Sequence, residues 1–452
     1  MRTKLFLFFT LFTLQSNAQC WSKISSGAYH TIAIANNGTL WAWGYNNSGQ
    51  VGNGTTVNQN IPVQIGTDTD WVYVGAGYYH SFAIKSNGTL WGWGDNSDYK
   101  IKNNTPSPST PLTFTEPIQI GNDTNWSKIS GGENFSVAIK TNGTLWTWGS
   151  DANGQMGNGI TNLAHTIPTQ VGTATNWAQI DAGRYHVIAL NSGGGVITWG
   201  SNQYGQIGNG GGFDVTAPFL ISGTSGVLKI DANATGSLII LSDNSLWTTG
   251  LIQYLANYNF TRFQTANNWN NVSAGSNHFI ASKTDGTLWA WGNNALQQCS
   301  SNTVSAFGGS PNQVAGSNYS QHLATNVYSS LALKTDGSLY AFGQNHVGQL
   351  ASGNLDNSIV SLISCPTILS NEDFEIKNSV SLYPNPVKNT LNISLENNSE
   401  IQNVVIYDVT GKQVKLQEGN TTSIFVEDLK SGLYLLEVTI EGNKAVKKFI
   451  KQ

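Results

Sequence analysis

Charge is scarce in this chain. Only 11% of its 452 residues are Asp, Glu, Lys or Arg, and the formal net charge at pH 7 is -4. A nucleic-acid binder needs a basic stripe to release counterions, and none is present, so no nucleic-acid partner is expected. Long apolar runs are missing too. The one apolar run, residues 5–14 of "MRTKLFLFFTLFTLQSNAQC", is too short to span a bilayer. It follows Arg2 and Lys4 and precedes Ser16 and Ala18, which take the small-residue positions of a cleavage site. Residues 1–18 therefore read as an export signal, and no transmembrane segment is expected. Gln19 stands where a lipoprotein signal before Cys20 would need a small residue. Catalytic signatures are absent as well: there is no G-x-S-x-G, H-E-x-x-H, P-loop or paired-cysteine motif. "DTD" at residues 68–70 lacks the alternating ligands of a calcium loop. No cofactor or metal is expected, although two glycosidase carboxylates would need no motif.

Glycine (49) and tryptophan (15) are abundant. "GTLWAWGYNNSGQVGNG" at residues 38–54 returns as "GTLWTWGSDANGQMGNG" at residues 143–159. The glycine closing the W-x-W-G phrase recurs at Gly44, Gly94, Gly149, Gly200, Gly250, Gly292 and Gly343. Seven units of that length mean a solenoid or a propeller, and their content decides. "WSKIS" and "HTIAIA" alternate like strands, "NNG" is an Asn-Gly hairpin signal, and "TLWAWG" is a third strand. "IPVQI" is a fourth, with Pro62, Pro117, Pro168, Pro218 and Pro311 each expected to open that last strand. Four antiparallel strands repeated seven times predict a seven-bladed β-propeller over residues 19–365, with tryptophan filling the space between blades. "NSIVSLIS" at residues 357–364 is expected to complete the first blade's sheet or its junction. Cys299 aligns with apolar positions and reads as core. Cys20 and Cys365 flank the first and last strands, where a disulfide across the seam or two free thiols would both fit.

The phrase resembles the regulator of chromosome condensation repeat family, on "GYYHSFAIKSNGTLWGWGDN" (residues 77–96) and "GRYHVIAL" with "WGSNQYGQIGNG" (residues 183–210). Blade five is degraded, losing the His and one aromatic, and blade seven replaces Trp with Tyr340 and Phe342. The resemblance implies a protein-binding platform more often than an enzyme; the fold alone does not decide.

Composition changes near residue 370. Residues 371–452 hold 20 charged side chains against 28 in the 370 residues before them, and no tryptophan. Alternating segments separated by "TGK" and "EGN" predict a small immunoglobulin-like β-sandwich over residues 379–452, after a linker at 366–378. The segment resembles the type A C-terminal sorting domain of the type IX secretion system. "YPNP" (Tyr383, Pro384, Asn385, Pro386), "IYDVTGK" with Gly411, "LKSGLYLLEV" with Gly432 and the terminal "KKFIK" with Lys447 and Lys448 carry it. It implies export through the periplasm, with the secretion machinery as a partner, and a protein that is released or held at the outer surface.

His30, His80, His186 and His278 share one aligned position, interrupted by Phe135, Gly236 and Ser329. Metal ligands from separate blades would have to converge on one ion, so a local hydrogen bond to backbone is expected instead. The "G-x-Y-H" turns and the glycine-rich loops belong to one face. Tyr29, Tyr79, Tyr185 and Tyr328 recur there, with Asn134 and Asn277 in two other blades and Tyr78, Glu133 and Arg184 beside them. Tyrosine and asparagine on rigid turns suit a surface that binds a protein or glycan, unless the rings pack inward. A monomeric binding protein is the reading that follows, with a propeller-based carbohydrate-active enzyme or an inert surface protein as alternatives.

Overall fold

The computed structural model describes residues 20–101, 112–252, 255–300, 308–319, 322–363, 380–395, 400–408, 413–440 and 443–452. The expected export signal, the expected linker, Cys365 and Gly411 lie outside them, as does much of the long second-blade loop. The chain divides into two units, Met1–Cys365 and Pro366–Gln452.

In the first unit the described strands form seven four-stranded antiparallel sheets, each from four consecutive strands. Blade 1 is Trp21–Ser26, His30–Ala35, Leu40–Gly44 and Gln59–Gln64, from the axis outward. The N-G-T-L-W spelling makes its central hairpin. Asn37 Oδ1 accepts from the Thr39 amide (3.2 Å) and hydroxyl (2.7 Å), and the Thr39 hydroxyl accepts from Trp41 Nε1 (2.8 Å). This Asx turn also aims the indole, and it recurs through Asn87, Asn142, Asp243 and Asp285. Gly44 sits at φ 97°, where a Cβ would lie 2.4 Å from the Tyr29 carbonyl, so the end of the W-x-W-G strand admits no side chain. In the loop beyond it, Asn46 Oδ1 accepts from the Val51 amide (2.8 Å), while its Nδ2 donates to the Thr55 and Val57 carbonyls (3.0 Å each). The repeated prolines sit inside the outer strands rather than opening them: Pro62 lies in Gln59–Gln64 and Pro117 in Thr113–Gln119. Those strands are edges, so the missing N–H removes no ladder bond and pairing starts earlier than the proline suggested.

The unit has no single core. Seven hydrophobic clusters each join two neighbouring blades. Trp43, Trp93, Trp148 and Trp199 are fully buried there, and each donates its indole N–H to a backbone carbonyl of the preceding blade's glycine-rich loop. Blade five lacks that tryptophan. Phe260, on its outer strand Leu255–Arg262, packs over Gly208 where Trp93 covers Gly52.

The late strand does not complete the first blade's sheet. Ser358–Ile363 pairs with Leu339–Gly343 as the outer strand of the seventh blade. Sheet boundaries coincide with sequence repeats, so no strand is left over to exchange. The seam closes instead through Trp43 Nε1 to the Gln349 carbonyl (3.2 Å), the Val327 amide to the Ala28 carbonyl (3.1 Å), and Asn60 with Gly353 (2.9 Å in both directions). Cys20, beside this seam, is disulfide-bonded. Cys299 is a buried free thiol in the cluster between blades six and seven, as its alignment predicts, and burial pushes its pKa up to about 12.

The second unit packs a three-stranded sheet (Val380–Tyr383, Thr390–Leu395, Ser423–Phe425) and a four-stranded sheet (Gln413–Glu418, Ile401–Asp408, Gly432–Ile440, Asn443–Lys451) around a core including Leu391, Val404, Leu436 and Phe449. Its distant motif pieces meet at one place. Asn385 Oδ1 accepts from the Ile450 amide (2.9 Å) and Asn385 Nδ2 donates to the Lys448 carbonyl (3.3 Å). Gly432 pairs with Lys451, and Lys447 and Lys448 oppose Leu436 and Leu435. Tyr383 is exposed.

Candidate functional site

Each blade's innermost strand runs along the ring axis and ends at the G-x-x-H turn, so residues at equivalent positions form rings around one channel. The channel holds a cavity of about 210 Å³ lined from all seven blades. Beyond the turns lies a basin lined by Tyr29, Tyr78, Tyr79, Arg184, Asn277 and Tyr328 together with small residues of blade five. Six of the nine residues expected on the binding face therefore line one hollow.

The histidines are buried, and three of the four bond across a blade interface, while neither ring nitrogen of His80 has a hydrogen-bond partner among the described residues. His30 Nε2 lies 2.8 Å from Ser81 Oγ of the next blade, and Ser81 donates its own proton to the Gln50 carbonyl (2.7 Å). The serine proton is committed, so the histidine carries its proton on Nε2 and donates. His186 with Ser237 (3.0 Å) and His278 with Ser330 (2.9 Å) repeat the arrangement. The partner in all three is a side chain across the interface, and His186 and His278 also bond to backbone, at Gly236 and Ser329. Burial lowers the imidazole pKa to about 3 in His30 and about 4 in His186 and His278. Among the described residues no group of three or more His, Cys, Asp or Glu gathers as a metal site.

Above them the aromatic rings touch in sequence. Tyr29 packs against Tyr328 (6.3 Å between centroids), His346 (6.0 Å) and Tyr45 (6.2 Å); Tyr45 continues to Tyr79 (6.3 Å) and Tyr79 to Tyr78 (6.4 Å). The Arg184 guanidinium extends the line, 5.7 Å from the Tyr78 ring and 5.1 Å from the Tyr185 ring. Arg184 also pairs with Glu133, which raises the guanidinium pKa further and gives the arc one fixed charge pair. Burial raises the Tyr78 hydroxyl pKa well above its usual value, and that hydroxyl bonds to Ser276 on the far side of the axis, so the ring lies across the channel top. Burial likewise raises Tyr29, Tyr79 and Tyr185, keeping these phenols neutral hydrogen-bonding groups. The tyrosines are half-buried: their edges pack together while the remaining surface faces the basin.

Not every expected residue is available to a ligand. Asn134 Oδ1 accepts from Lys100 Nζ (3.3 Å), whose buried ammonium pairs with Asp95 (2.7 Å). Tyr45 and His346 belong to the arc, yet they come from the glycine-rich loops rather than the G-x-Y-H turns. Their positions vary between blades, so the repeat spacing did not single them out.

Within the channel two carboxylates come from adjacent innermost strands, and each reaches to a backbone amide of the next blade. Asp181 accepts from the Ala232 amide (2.7 Å) and the Ser130 hydroxyl (2.9 Å), and Asp231 accepts from the Ala274 amide (2.8 Å). Burial lifts Asp181 to about 6; burial and the Asp181 charge hold Asp231 well above the carboxylate range.

Comparison with known proteins agrees with this architecture. A family model described as an RCC1-like domain matches residues 9–256, more than half of the chain, and a regulator of chromosome condensation (RCC1) repeat matches residues 269–298. A secretion system C-terminal sorting domain matches residues 381–452. The ultraviolet-B receptor UVR8 of Arabidopsis thaliana is 26% identical over 305 residues, 61% of this chain and 68% of the receptor. The mitochondrial RCC1 domain-containing protein RUG3 of the same plant is 26% identical over 246 residues, and the chain spans only 53% of its length. Human WBSCR16 superposes with a TM-score of 0.65 at 17% identity, covering 73% of this chain and 95% of that one. Prp20p of Saccharomyces cerevisiae gives 0.59 at 20% identity, covering 68% and 80%. At these identities the solved structures establish the fold. No helix among the described residues is long and apolar enough to cross a membrane. The sorting domain directs the chain through the type IX secretion system to the exterior or the cell surface. The chain belongs to the RCC1-like domain family, as a seven-bladed propeller joined to a secretion sorting domain.

Proposed function

We propose that the exported propeller is a binding module, acting without turnover, whose protein or glycan ligand docks in the tyrosine-lined basin. The unbroken line from His346 through Tyr29, Tyr45, Tyr79 and Tyr78 to Arg184 and Tyr185 carries the reading. Rings already packed edge to edge lose little freedom on binding, so their contact area converts to affinity at low entropic cost. The face's own carboxylate, Glu133, is paired with Arg184, an arrangement that favours orienting a ligand over transferring a proton. Ligand capture from host or medium by the mature propeller, compared with a Tyr79→Ala, Tyr185→Ala variant, tests the reading. Unchanged capture counts against it, and sustained product release from polysaccharides would replace it with an enzyme.

The proposed layout is an export signal at residues 1–18, the propeller at 19–365, a linker at 366–378 and the sorting domain at 379–452. We also propose that Cys20 and Cys365 form one bridge. Cys20 is disulfide-bonded, Cys299 is free, and the chain holds three cysteines. In this ring the seam between blades seven and one is the interface no strand connection crosses, and a bridge there would supply the missing covalent link.

A further inference from the structure

The two ends of the channel differ in chemistry. Seven residues before each histidine position, the innermost strands carry Lys23, Tyr73, Lys128, Gln179, Lys229, Asn271 and His322. These lie at the opposite end of the strands from the tyrosine basin, and none is acidic. The three lysines come from blades one, three and five, each two blades from the last, so they surround the axis on three sides while His322 of blade seven fills the gap beside Lys23. Their register puts them on the same strand face as Asp181 and Asp231, which line the channel; Lys23 and Lys128 are half-buried and Lys229 is exposed. Lys229 acts electrostatically on both Lys128 and His322, each two blades away, and Lys23 acts on His322. Lys128 Nζ reaches across its interface to the Ala178 carbonyl, and Gln179 Nε2 reaches the Leu228 carbonyl in the same way (2.9 Å).

Among the described residues, no carboxylate lies within ion-pair distance of Lys23, Lys128 or Lys229. Lys85, Lys100, Lys140 and Lys415 each have one. In a chain of net charge -4, three uncompensated ammonium groups set around one axis repel each other without any fold-stabilising return. Burial, with a smaller part from the neighbouring lysine charges, depresses the Lys128 pKa and holds His322 near 4, uncharged at neutral pH and able to donate or accept. The acidic pair Asp181 and Asp231 sits two residues further along the same face of its strands, engaged with backbone amides, and sets how deep an anion can enter.

We propose that Lys23, Lys128, Lys229 and His322 form an anion site at this mouth of the channel, which takes a tetrahedral oxyanion, phosphate or sulfate. Ammonium donors supplied from three sides of the axis suit three oxygens of such a group, with Lys229 exposed at the mouth. The fourth oxygen points out of the mouth, where it is free in an inorganic ion or esterified on a sugar. This site lies on the face opposite the proposed ligand basin and stands independently of it.

Titration calorimetry of the full secreted chain with inorganic phosphate, inorganic sulfate and a sulfated disaccharide tests the proposal, with acetate as the planar carboxylate control. Saturable phosphate or sulfate binding is expected, at least tenfold weaker in Lys128→Gln, Lys229→Gln and unchanged in Lys388→Gln on the sorting domain. A disaccharide bound more than tenfold tighter than sulfate identifies an esterified group as the source; equal affinities identify the free ion. The wild-type protein gives a second reading that no variant can spoil. Phosphate should raise the imidazole pKa of His322 in a proton-resonance titration, because an adjacent anion favours the charged ring. Absence of both heat and the His322 shift overturns the site, as does undiminished binding by the double variant. Acetate binding as tight as sulfate overturns the tetrahedral class.

Discussion

The acidic pair in the channel makes stability depend on pH in an unusual direction. Free aspartate ionises near 3.8, whereas burial holds the proton on Asp181 to about 6, and burial with the Asp181 charge raises Asp231 well above the free value. Between those values the folded protein binds more protons than the unfolded chain, so stability falls as pH rises through the window and stays lower above it. Two pKa units on Asp181 alone correspond to roughly 3 kcal/mol. Asp231→Asn keeps an oxygen for the Ala274 amide and removes one member of the pair. The variant is expected to be more stable than wild type by about 2 kcal/mol at pH 7, with the gain shrinking to nothing near pH 4. Denaturant unfolding of both proteins from pH 4 to 7.5 measures this as a difference. That matters because His30, His186 and His278 act oppositely: their lowered pKa values favour the fold above about pH 6.5 and withdraw that support as pH falls. Subtracting the two proteins cancels the histidines. A gain independent of pH, or a loss at pH 7, would refute the reading that burial and mutual repulsion make this ionised pair destabilising.

Ser81→Ala should cost about 1–3 kcal/mol, because the His30 Nε2 proton and the Gln50 carbonyl both lose a buried partner, and thermal unfolding reads it directly. Lys140→Met should cost about 1 kcal/mol: its ammonium sits 4.6 Å from the Trp126 ring and 3.7 Å from the Trp146 ring, with Asp123 at 2.8 Å, and little change in denaturant midpoint would make the sandwich energetically idle. For a bridge closing a loop of about 345 residues, Cys20→Ser is expected to lower stability by as much as ~5 kcal/mol, and a reductant should reproduce the loss in wild type but add nothing to the variant.

The blades were legible because each repeats the same local instructions. The Asx turn at Asn37, the left-handed glycine at Gly44 and the loop asparagine at Asn46 act within a few residues of themselves, so spacing exposes them. Six of the nine residues expected on the binding face line the basin for the same reason: turn position and strand direction follow from the repeat. What failed to show were relations between blades. Nothing local marks His346 of the seventh blade as a neighbour of Tyr29, or Tyr79 of the second as a neighbour of Tyr45. The final strand was misassigned because both edges of a propeller seam look equally incomplete in one dimension. The lysine collar likewise needs the sheets wrapped around an axis before residues two blades apart become neighbours.

The histidine-serine dipeptide shows how such a relation can hide in plain sequence. "HS" at residues 80–81 reads as one unit, yet Ser81 serves His30 of the previous blade. The residue after each histidine position should therefore follow the blade before it, not its own. Phe135 is followed across the interface by Val187, and the two share one cluster. Beyond Gly236, the residue after the sixth blade's histidine is Phe279, whose ring stacks 5.5 Å from Trp291. His186 and His278 restore the pairing with Ser237 and Ser330, although Val187 and Phe279 adjoin those histidines in sequence. The glycine three residues before each histidine obeys a matching rule. A Cβ at Gly27 would lie 2.3 Å from the His30 ring, and where the ring is replaced by Gly236 or Ser329, the glycine becomes Asn233 or Asn326. The junction after His80 is the exception, since Ser136 donates to the Lys100 carbonyl and neither His80 ring nitrogen has a hydrogen-bond partner among the described residues. Blade order is thus written in the interfaces, and exchanging two blades would break junctions that every blade, taken alone, could still fold to make.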